Sequence, residues 1–502
     1  MKSIFERIDA LVRECGCVPE GYVLEDALKD DEKPALVMGE QEGLIGHPIP
    51  MPPKGMLGKA VDMIRNNLEI NARLAVHSFD DEELGFRVAD IRGLLLKNII
   101  DNIKDYDPHK LSTLAYSLTM FGTKLETVKL GLLILVLFDF ADDEVIRKHI
   151  ITLGFYEEFT SYVISNAKSW PRNISDHVYY VYARKLNGWG KINAMECLEP
   201  VNDEVRDWVL CHGCRNDISF GYLGKAAYDK CDFENVLRTG RLSEEQMQGA
   251  RDIMRGLLED MPGRGISEVN NPALLTMLYL KELAEHNMDL EDVSNLYELK
   301  NYLRGNEKSP ESDNNKAIQI IDRLLSLSDA EDMIKKGVRE DPELAVPTAS
   351  EAGMDIADEL LDLVNSDFLQ YYRYVYYFMR DGVYVDEFLN ICNKNLVGRD
   401  FKEGMGTETA EPDSDKTWQL DEVLKYLGTY PGEGSRLMVT AIGSSILSYR
   451  QAAAETIRRW EEIKGLPLKK ISSEVFHAVK KVRKKEVDEE LKKAWDEVLD
   501  FK

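Results

Sequence analysis

No stretch of this 502-residue chain approaches the ~20 consecutive apolar residues that a membrane-spanning helix requires. The longest apolar run, Leu130 to Phe138, closes at Asp139 and reads as a helix buried in a core. The opening MKSIFERIDALVREC carries charge throughout, so it lacks the apolar core of a signal peptide. Seven cysteines, an odd number spread over the whole length, make no disulfide framework. Reduced thiols in a cytoplasmic protein are the expectation. Positive charge is scarce as well: 63 Lys and Arg against 89 Asp and Glu leave a net charge of −26. Such a surface repels phosphate backbones and anionic lipid, which argues against nucleic-acid and membrane partners. One basic stretch stands apart, Lys469, Lys470, Lys480, Lys481, Arg483, Lys484 and Lys485. Glu486, Asp488, Glu489 and Glu490 follow at once, and a solvated, self-compensating helix face is the expected reading.

Several catalytic signatures are missing too. The glycine pairs Gly188/Gly190, Gly263/Gly265, Gly404/Gly406 and Gly432/Gly434 lack a third glycine three residues on, and none follows a strand-like run. Neither a dinucleotide fingerprint nor a GxxxxGK[ST] phosphate loop is present. No Gly-x-Ser-x-Gly nucleophile elbow occurs, and the eight histidines lie without ligand spacing.

What the chain does have is helix-length blocks of apolar residues. From about Lys54 onward they come in pairs: 108–121 with 124–138, 142–153 with 156–168, 203–214 with 218–230, and 243–260 with 272–286. Each pair takes about 35–45 residues, the period of HEAT- and armadillo-type units. Such a pair cannot bury its apolar face alone, so the expected fold is all-α, an α-solenoid of stacked helix pairs. Explicit starts support the helices. Ser243 and Gln246 make a capping box ahead of the stripe Met247, Ala250, Met254 and Leu257. Asn271-Pro272 sets an N-cap and first-turn proline before Leu274, Leu275, Leu278 and Leu283. Asp289 opens a helix whose Val293, Leu296 and Leu299 face inward.

The expected organisation follows from composition. Residues 1–53 are an amphipathic helix (Ile4, Ile8, Leu11, Val12) and a proline-rich extended arm ending at 47–53. Residues 54–305 are the helical-repeat domain, 306–352 a polar linker with short helices, and 353–502 a C-terminal helical domain. Breaker-rich stretches at 305–315 and 403–416, the latter an acidic loop, read as loops.

The sharpest local motif is Cys211-His212-Gly213-Cys214. Two thiolates at this spacing suit zinc, or dithiol chemistry where a thiol's pKa is lowered. The motif closes the helix begun at Asp203, the dipole end that disfavours a thiolate, and Gly213 reads as the helix stop. There is no second Cys-x-x-Cys; Cys197 and Cys231 are the only further thiols nearby. A structural role is favoured for Cys211, His212 and Cys214 over a metal site. Glu474-x-x-His477 resembles half of a carboxylate di-iron motif, but a site needs two copies on facing helices. Aromatics crowd 367–380, and Tyr372 and Tyr376, on one helical face with Met379, are the candidate partner-binding residues. A helix apolar on two faces is more often sandwiched between neighbours.

Two segments carry a family resemblance: Asp207 to Asn216 running on to Tyr222 and Cys231-Asp232, and Trp460 to Leu468 with Ser472-Ser473-Glu474. They resemble bacterial HEAT/armadillo-like helical-repeat proteins, some carrying a transferred limonene hydroxylase label. The resemblance implies a helical-repeat architecture and, through that label, an oxygenase. A hydroxylase would need a flavin, haem or non-haem iron, and no cofactor motif is present here. The functional expectation is therefore a non-enzymatic protein-binding scaffold for a partner with a basic patch, needing no cofactor. An oxygenase-type enzyme is the alternative.

Overall fold

The computed structural model describes residues 2–24, 55–81, 87–397, 406 and 418–500. The expected proline-rich arm and most of the 403–416 loop lie outside these residues. Helix makes up 74% of the chain, no strand occurs among the described residues, and many helices pack in sequence-local pairs. No helix among them is long and apolar enough to cross a membrane. The chain divides into two compact units, one of residues 1–288 and 298–325, the other of 289–297 and 326–502.

In the first unit the expected pairs form where the apolar spacing put them. Pro108–Phe121 packs against Leu125–Leu135 and Glu144–Leu153 against Glu157–Ala167, and a further pair that the spacing had not marked, Arg172–Lys185 with Trp189–Cys197, packs the same way. The apolar run lies in the Leu125–Leu135 helix up to Leu135, 136–138 form the turn that follows, and every residue of the helix from Thr127 to Leu135 is buried. Lys129 within it is neutralised by Glu126 at 3.1 Å and Glu158 at 2.6 Å. The capping box at Ser243 and the Asn271 cap are both made, and Met247, Ala250, Met254 and Leu257 are fully buried. In the second unit, Asp289 and Asp292 cap each other's backbone N–H at 3.0 and 3.1 Å. Leu274 and Leu278 are only half-buried; Tyr279 and Leu280 hold that core instead.

Many short helices create many helix ends, each with backbone groups lacking an intrahelical partner. Here a neighbouring pair supplies them. The Glu157 carboxylate accepts Gly188 N and Gly190 N, both at 3.0 Å, at the start of Trp189–Cys197. Asp80 accepts Thr123 N at 3.0 Å, Glu126 accepts Val88 N at 2.5 Å, Glu259 accepts Gly221 N at 2.7 Å, and Glu282 accepts Arg241 N at 2.8 Å. Asn166 donates to Leu132 O at 2.9 Å, and Ser309 accepts Ala273 N at 3.1 Å. The partners in these ties are 31 to 43 residues apart, which is the spacing of one helix pair to the next.

Glycines let the backbones of the 203–258 region touch. Glu244–Leu258 crosses Asp203–His212 at Gly249, where a Cβ would lie 2.7 Å from Cys211 Cα and collide with the Leu210 carbonyl. One face further on, Gly256 meets Gly224 of the Gly224–Lys230 helix, backbone against backbone. The expected 218–230 helix begins late for this reason: Phe220–Tyr222 is a tight 3-10 turn leading to that contact.

The N-terminal helix breaks the local pattern. Ile4–Cys15 packs on Pro108–Phe121 and Glu144–Leu153, with Ile4 N bonded to Gly122 O at 3.0 Å and Phe5 edge-on to His149. Its exit is pinned where Leu24 N donates to the Tyr156 hydroxyl at 3.2 Å, 132 residues along the chain.

In the second unit, residues 326–352, expected as part of a polar linker, contribute the helical hairpin Ala330–Glu340 and Pro342–Ala352. The breaker-rich stretch at 305–315 is irregular only as far as Pro310; Glu311–Leu327 is a 17-residue helix. Leu447–Lys464 is the central helix of the C-terminal region, touching Trp418–Leu427, Ser435–Gly443 and Glu489–Asp500. Trp460 Nε1 reaches back to Leu427 O at 2.6 Å. Arg450, fully buried, forms a two-pronged pair with buried Glu486 at 2.9 and 3.0 Å and donates to Ser444 O, Ser445 O and Gly406 O. All five guanidinium hydrogens have acceptors, which makes burial of this charge tolerable.

Two helix-interior glycines should respond to alanine with opposite sign. Gly93→Ala, with open space at its Cβ, should stabilise by about 0.5–1 kcal/mol. Gly249→Ala should cost about 3 kcal/mol or more through overpacking against backbone. Urea denaturation of both variants checks this, and equal effects would refute the close-approach argument. Arg450→Met, leaving Glu486 buried and unpaired, should cost roughly 3–5 kcal/mol in the same measurement.

Candidate functional site

Around the Cys211–Cys214 motif, chemistry is damped. Cys211 sits in the last turn of Asp203–His212, and burial, with Asp207 and Glu245 nearby, pushes its thiol up to about 11. Cys214 is fully buried; its Sγ donates to Asp252 O at 3.1 Å and Phe220 O at 3.6 Å, and burial raises its pKa well above the thiol range. His212 faces outward toward Glu245 at 3.3 Å. Among the described residues no three His, Cys, Asp or Glu side chains converge as a metal site. Gly213 ends the helix as expected, but in right-handed geometry (φ −65°) rather than the left-handed form of a glycine stop. It is small because a Cβ would lie 3.0 Å from Val209 Cγ1 and 3.1 Å from Met195 Cε.

Sequence spacing gave no hint of Lys191, which caps this helix from the Trp189–Cys197 helix. Its buried ammonium donates to His212 O at 2.9 Å and to Arg215 O, and desolvation lowers its pKa to about 8. Its ammonium also lies 5.8 Å from the Trp208 ring centroid. A positive charge at a helix C-terminus complements the dipole, so Lys191 closes the turn that carries the two cysteines.

The Glu474/His477 pair does not come together: His477 is exposed and its Nδ1 lies 2.6 Å from Ser473 O. The aromatic stretch 367–380 is not one helix. Phe368–Tyr371 passes into a 3-10 turn, Tyr372–Tyr374, and resumes as Val375–Asp381. A 3-10 turn advances three residues per turn, so the faces drawn for a continuous helix fall out of phase. Tyr374, Val375, Phe378 and Met379 are buried, while Tyr372 and Tyr376 are half-buried. The Arg380 guanidinium lies over the Tyr376 ring at 5.6 Å.

The basic stretch is less compensated than its sequence neighbours imply. Glu486 turns inward to Arg450, Asp488 caps Leu491 N, and Glu489 pairs with Lys492. Arg483 pairs with Asp496 at 2.6 Å. That leaves Lys469, Lys470, Lys480, Lys481, Lys484 and Lys485 exposed, with no carboxylate within ion-pair distance among the described residues.

A groove of about 1080 Å³ opens in the first unit between Asp203–His212, Gly224–Lys230, the Phe233–Thr239 helix and the loop leading to Glu244. Glu199, Asp203, Asp207, Asp229 and Asp232 line it, all exposed, against Arg206, Lys230 and Arg241. Arg206 pairs with Asp203 at 2.7 Å, Gln246 donates to Asp207 at 2.7 Å, and Lys225 holds Asp229 at 2.5 Å. Cys231 lies buried in its wall, its thiol raised by burial. Two wall residues hold left-handed backbone without being glycine, Asp232 (φ 53°) and Arg241 (φ 65°). Such residues cost on the order of 1–3 kcal/mol and persist where surroundings fix them. Here Glu282 fixes Arg241 N and Leu242 N. Only the density of Asp and Glu between 199 and 232 hinted at this groove in the sequence.

No protein-family model matches the chain, and comparison with curated proteins and with solved structures gives no match. The resemblance carried by 207–216 and 460–468 therefore stands on those residues alone.

The thiol environment is open to direct measurement. Alkylation of Cys211 by iodoacetamide, followed by peptide mass spectrometry, should still be climbing at about pH 10, because only the thiolate reacts. A rate that levels off below about pH 8 would show an activated thiol and reopen the redox reading.

Proposed function

We propose that this chain is a non-enzymatic α-helical repeat protein, a solenoid of helix pairs, whose groove at 199–246 docks a basic segment of another protein. The groove carries the reading: five exposed carboxylates face three cations around a volume that admits extended side chains. The solenoid arrangement draws support from the polar ties, which join each pair to the next at one repeat's separation. A cytoplasmic setting fits seven unpaired thiols. The scaffold role fits a Cys-x-x-Cys turn whose thiols are held protonated by burial.

Complementary charge at such a surface raises encounter rate and selects partners more than it adds raw affinity. Each exposed pair contributes roughly 0.2–1 kcal/mol, so several together are needed for a measurable effect. A fluorescein-labelled oligolysine peptide tests this by anisotropy. The full chain should bind it at about 0.1 M NaCl and release it at about 0.5 M, where the Debye length has shortened severalfold relative to dilute buffer. Replacing Asp203, Asp207, Asp229 and Asp232 together by Asn should weaken binding about tenfold, the equivalent of ~1.4 kcal/mol. Unchanged affinity in that variant, with a native melting curve, would reject the groove as the docking site.

A further inference from the structure

We infer that the basic partner of the groove is a second copy of this chain, which offers its lysine face at 469–485; the inference rests on the reading of the groove given above. Two observations meet here. The chain is acidic overall, at −26, yet keeps six exposed lysines without an ion-pair partner on one short stretch. Some half-buried lysines elsewhere do find a carboxylate, as Lys110 does with Glu69, Lys225 with Asp229 and Lys492 with Glu489. Two of the four acids that follow the lysines are turned to other uses, Glu486 to Arg450 and Asp488 to a helix cap, while Glu489 and Glu490 stay exposed. The lysine face is thus a locally positive surface on a negative molecule.

The face also has the make-up of a contact surface rather than a purely solvated one. The Lys469 ammonium lies 5.9 Å from the Phe476 ring centroid, and Lys480 follows Phe476 by one helical turn. Ile463, Leu466 and Val487 are exposed beside it in sequence. Lysine ammoniums are point charges that accept any carboxylate geometry, which suits a groove whose acids come from several helices and loops. The groove offers five such acids: Asp203, Glu199 and Asp229 are shared with Arg206, Lys230 and Lys225, while Asp207 and Asp232 have no ion-pair partner among the described residues.

Two molecules of charge −26 repel at long range, but salt screens that field over about 8–10 Å at physiological ionic strength. Within that distance local complementarity decides, so this contact should form at moderate salt and fail at high salt. A groove meeting a different surface is a heterologous contact, which adds copies stepwise unless the ring closes.

Sedimentation velocity of the full chain, over a wide concentration range at about 0.1 M and about 0.5 M NaCl, measures this. Concentration-dependent association at the lower salt that vanishes at the higher is expected. Lys480→Glu, Lys481→Glu, Lys484→Glu and Lys485→Glu combined should give a monomer. Glu199→Lys, Asp207→Lys and Asp229→Lys combined should do the same. Mixing the two variants should restore association, because each supplies the surface the other lacks. A wild-type chain that stays monomeric at every concentration, or a mixture that stays monomeric, overturns the inference. Should oligolysine still bind the groove in that case, the docking reading survives and only the identity of the partner falls. Should neither occur, both fall.

Discussion

Every helix in this protein ends within a few turns, and each end leaves backbone N–H and C=O groups that must be met. The chain meets them by borrowing. Glu157, Glu126, Asp80, Glu259 and Glu282 each satisfy a backbone N–H in another helix pair, at a separation close to one pair of helices. A carboxylate placed against N–H groups at a helix start also complements the local dipole, so the same bond settles a hydrogen-bond deficit and a charge. Five of the 89 acidic residues have this structural use. Five others line the groove at 199–246.

Close backbone approach is the second constraint, and it concentrates in the same region. Gly213, Gly224, Gly249 and Gly256 let four segments touch around the Cys211–Cys214 turn, with Lys191 capping it from beneath. In this crowded setting the cysteines act as small, protonated packing groups. Cys214 donates into the Glu244–Leu258 helix at Asp252 O, a bond that helps position the helix crossing. The motif that looked most like chemistry is thus part of a packing knot.

Helix existence was legible because periodicity, caps and breakers are local signals. Ser243, Asn271 and Asp289 marked starts that the fold uses, and the 3.6-residue stripes of 247–257 and 293–299 are buried as spaced. What sequence could not carry was the pairing of distant polar groups. Neither Lys191 nor Glu282 has a neighbour in sequence that announces its role. The lysine stretch is exposed as its sequence implied, but the compensation adjacency suggested is smaller, because the Glu486 carboxylate is claimed by Arg450, 36 residues earlier. Likewise the 3-10 turn at Tyr372–Tyr374 shifts faces that a continuous helix would have kept in phase.

Most of these ties join segments made close together in time as the chain is synthesised. The N-terminal helix is the exception. Its seat is built from Gly122, His149 and Tyr156, so Ile4–Cys15 cannot dock until well over a hundred further residues have left the ribosome. Closing so long a loop is slow relative to the local pairings around it. Residues 4–15 are therefore made long before their seat exists, and until it forms, the apolar faces of Ile4, Phe5 and Ile8 are open to whatever else the nascent chain meets.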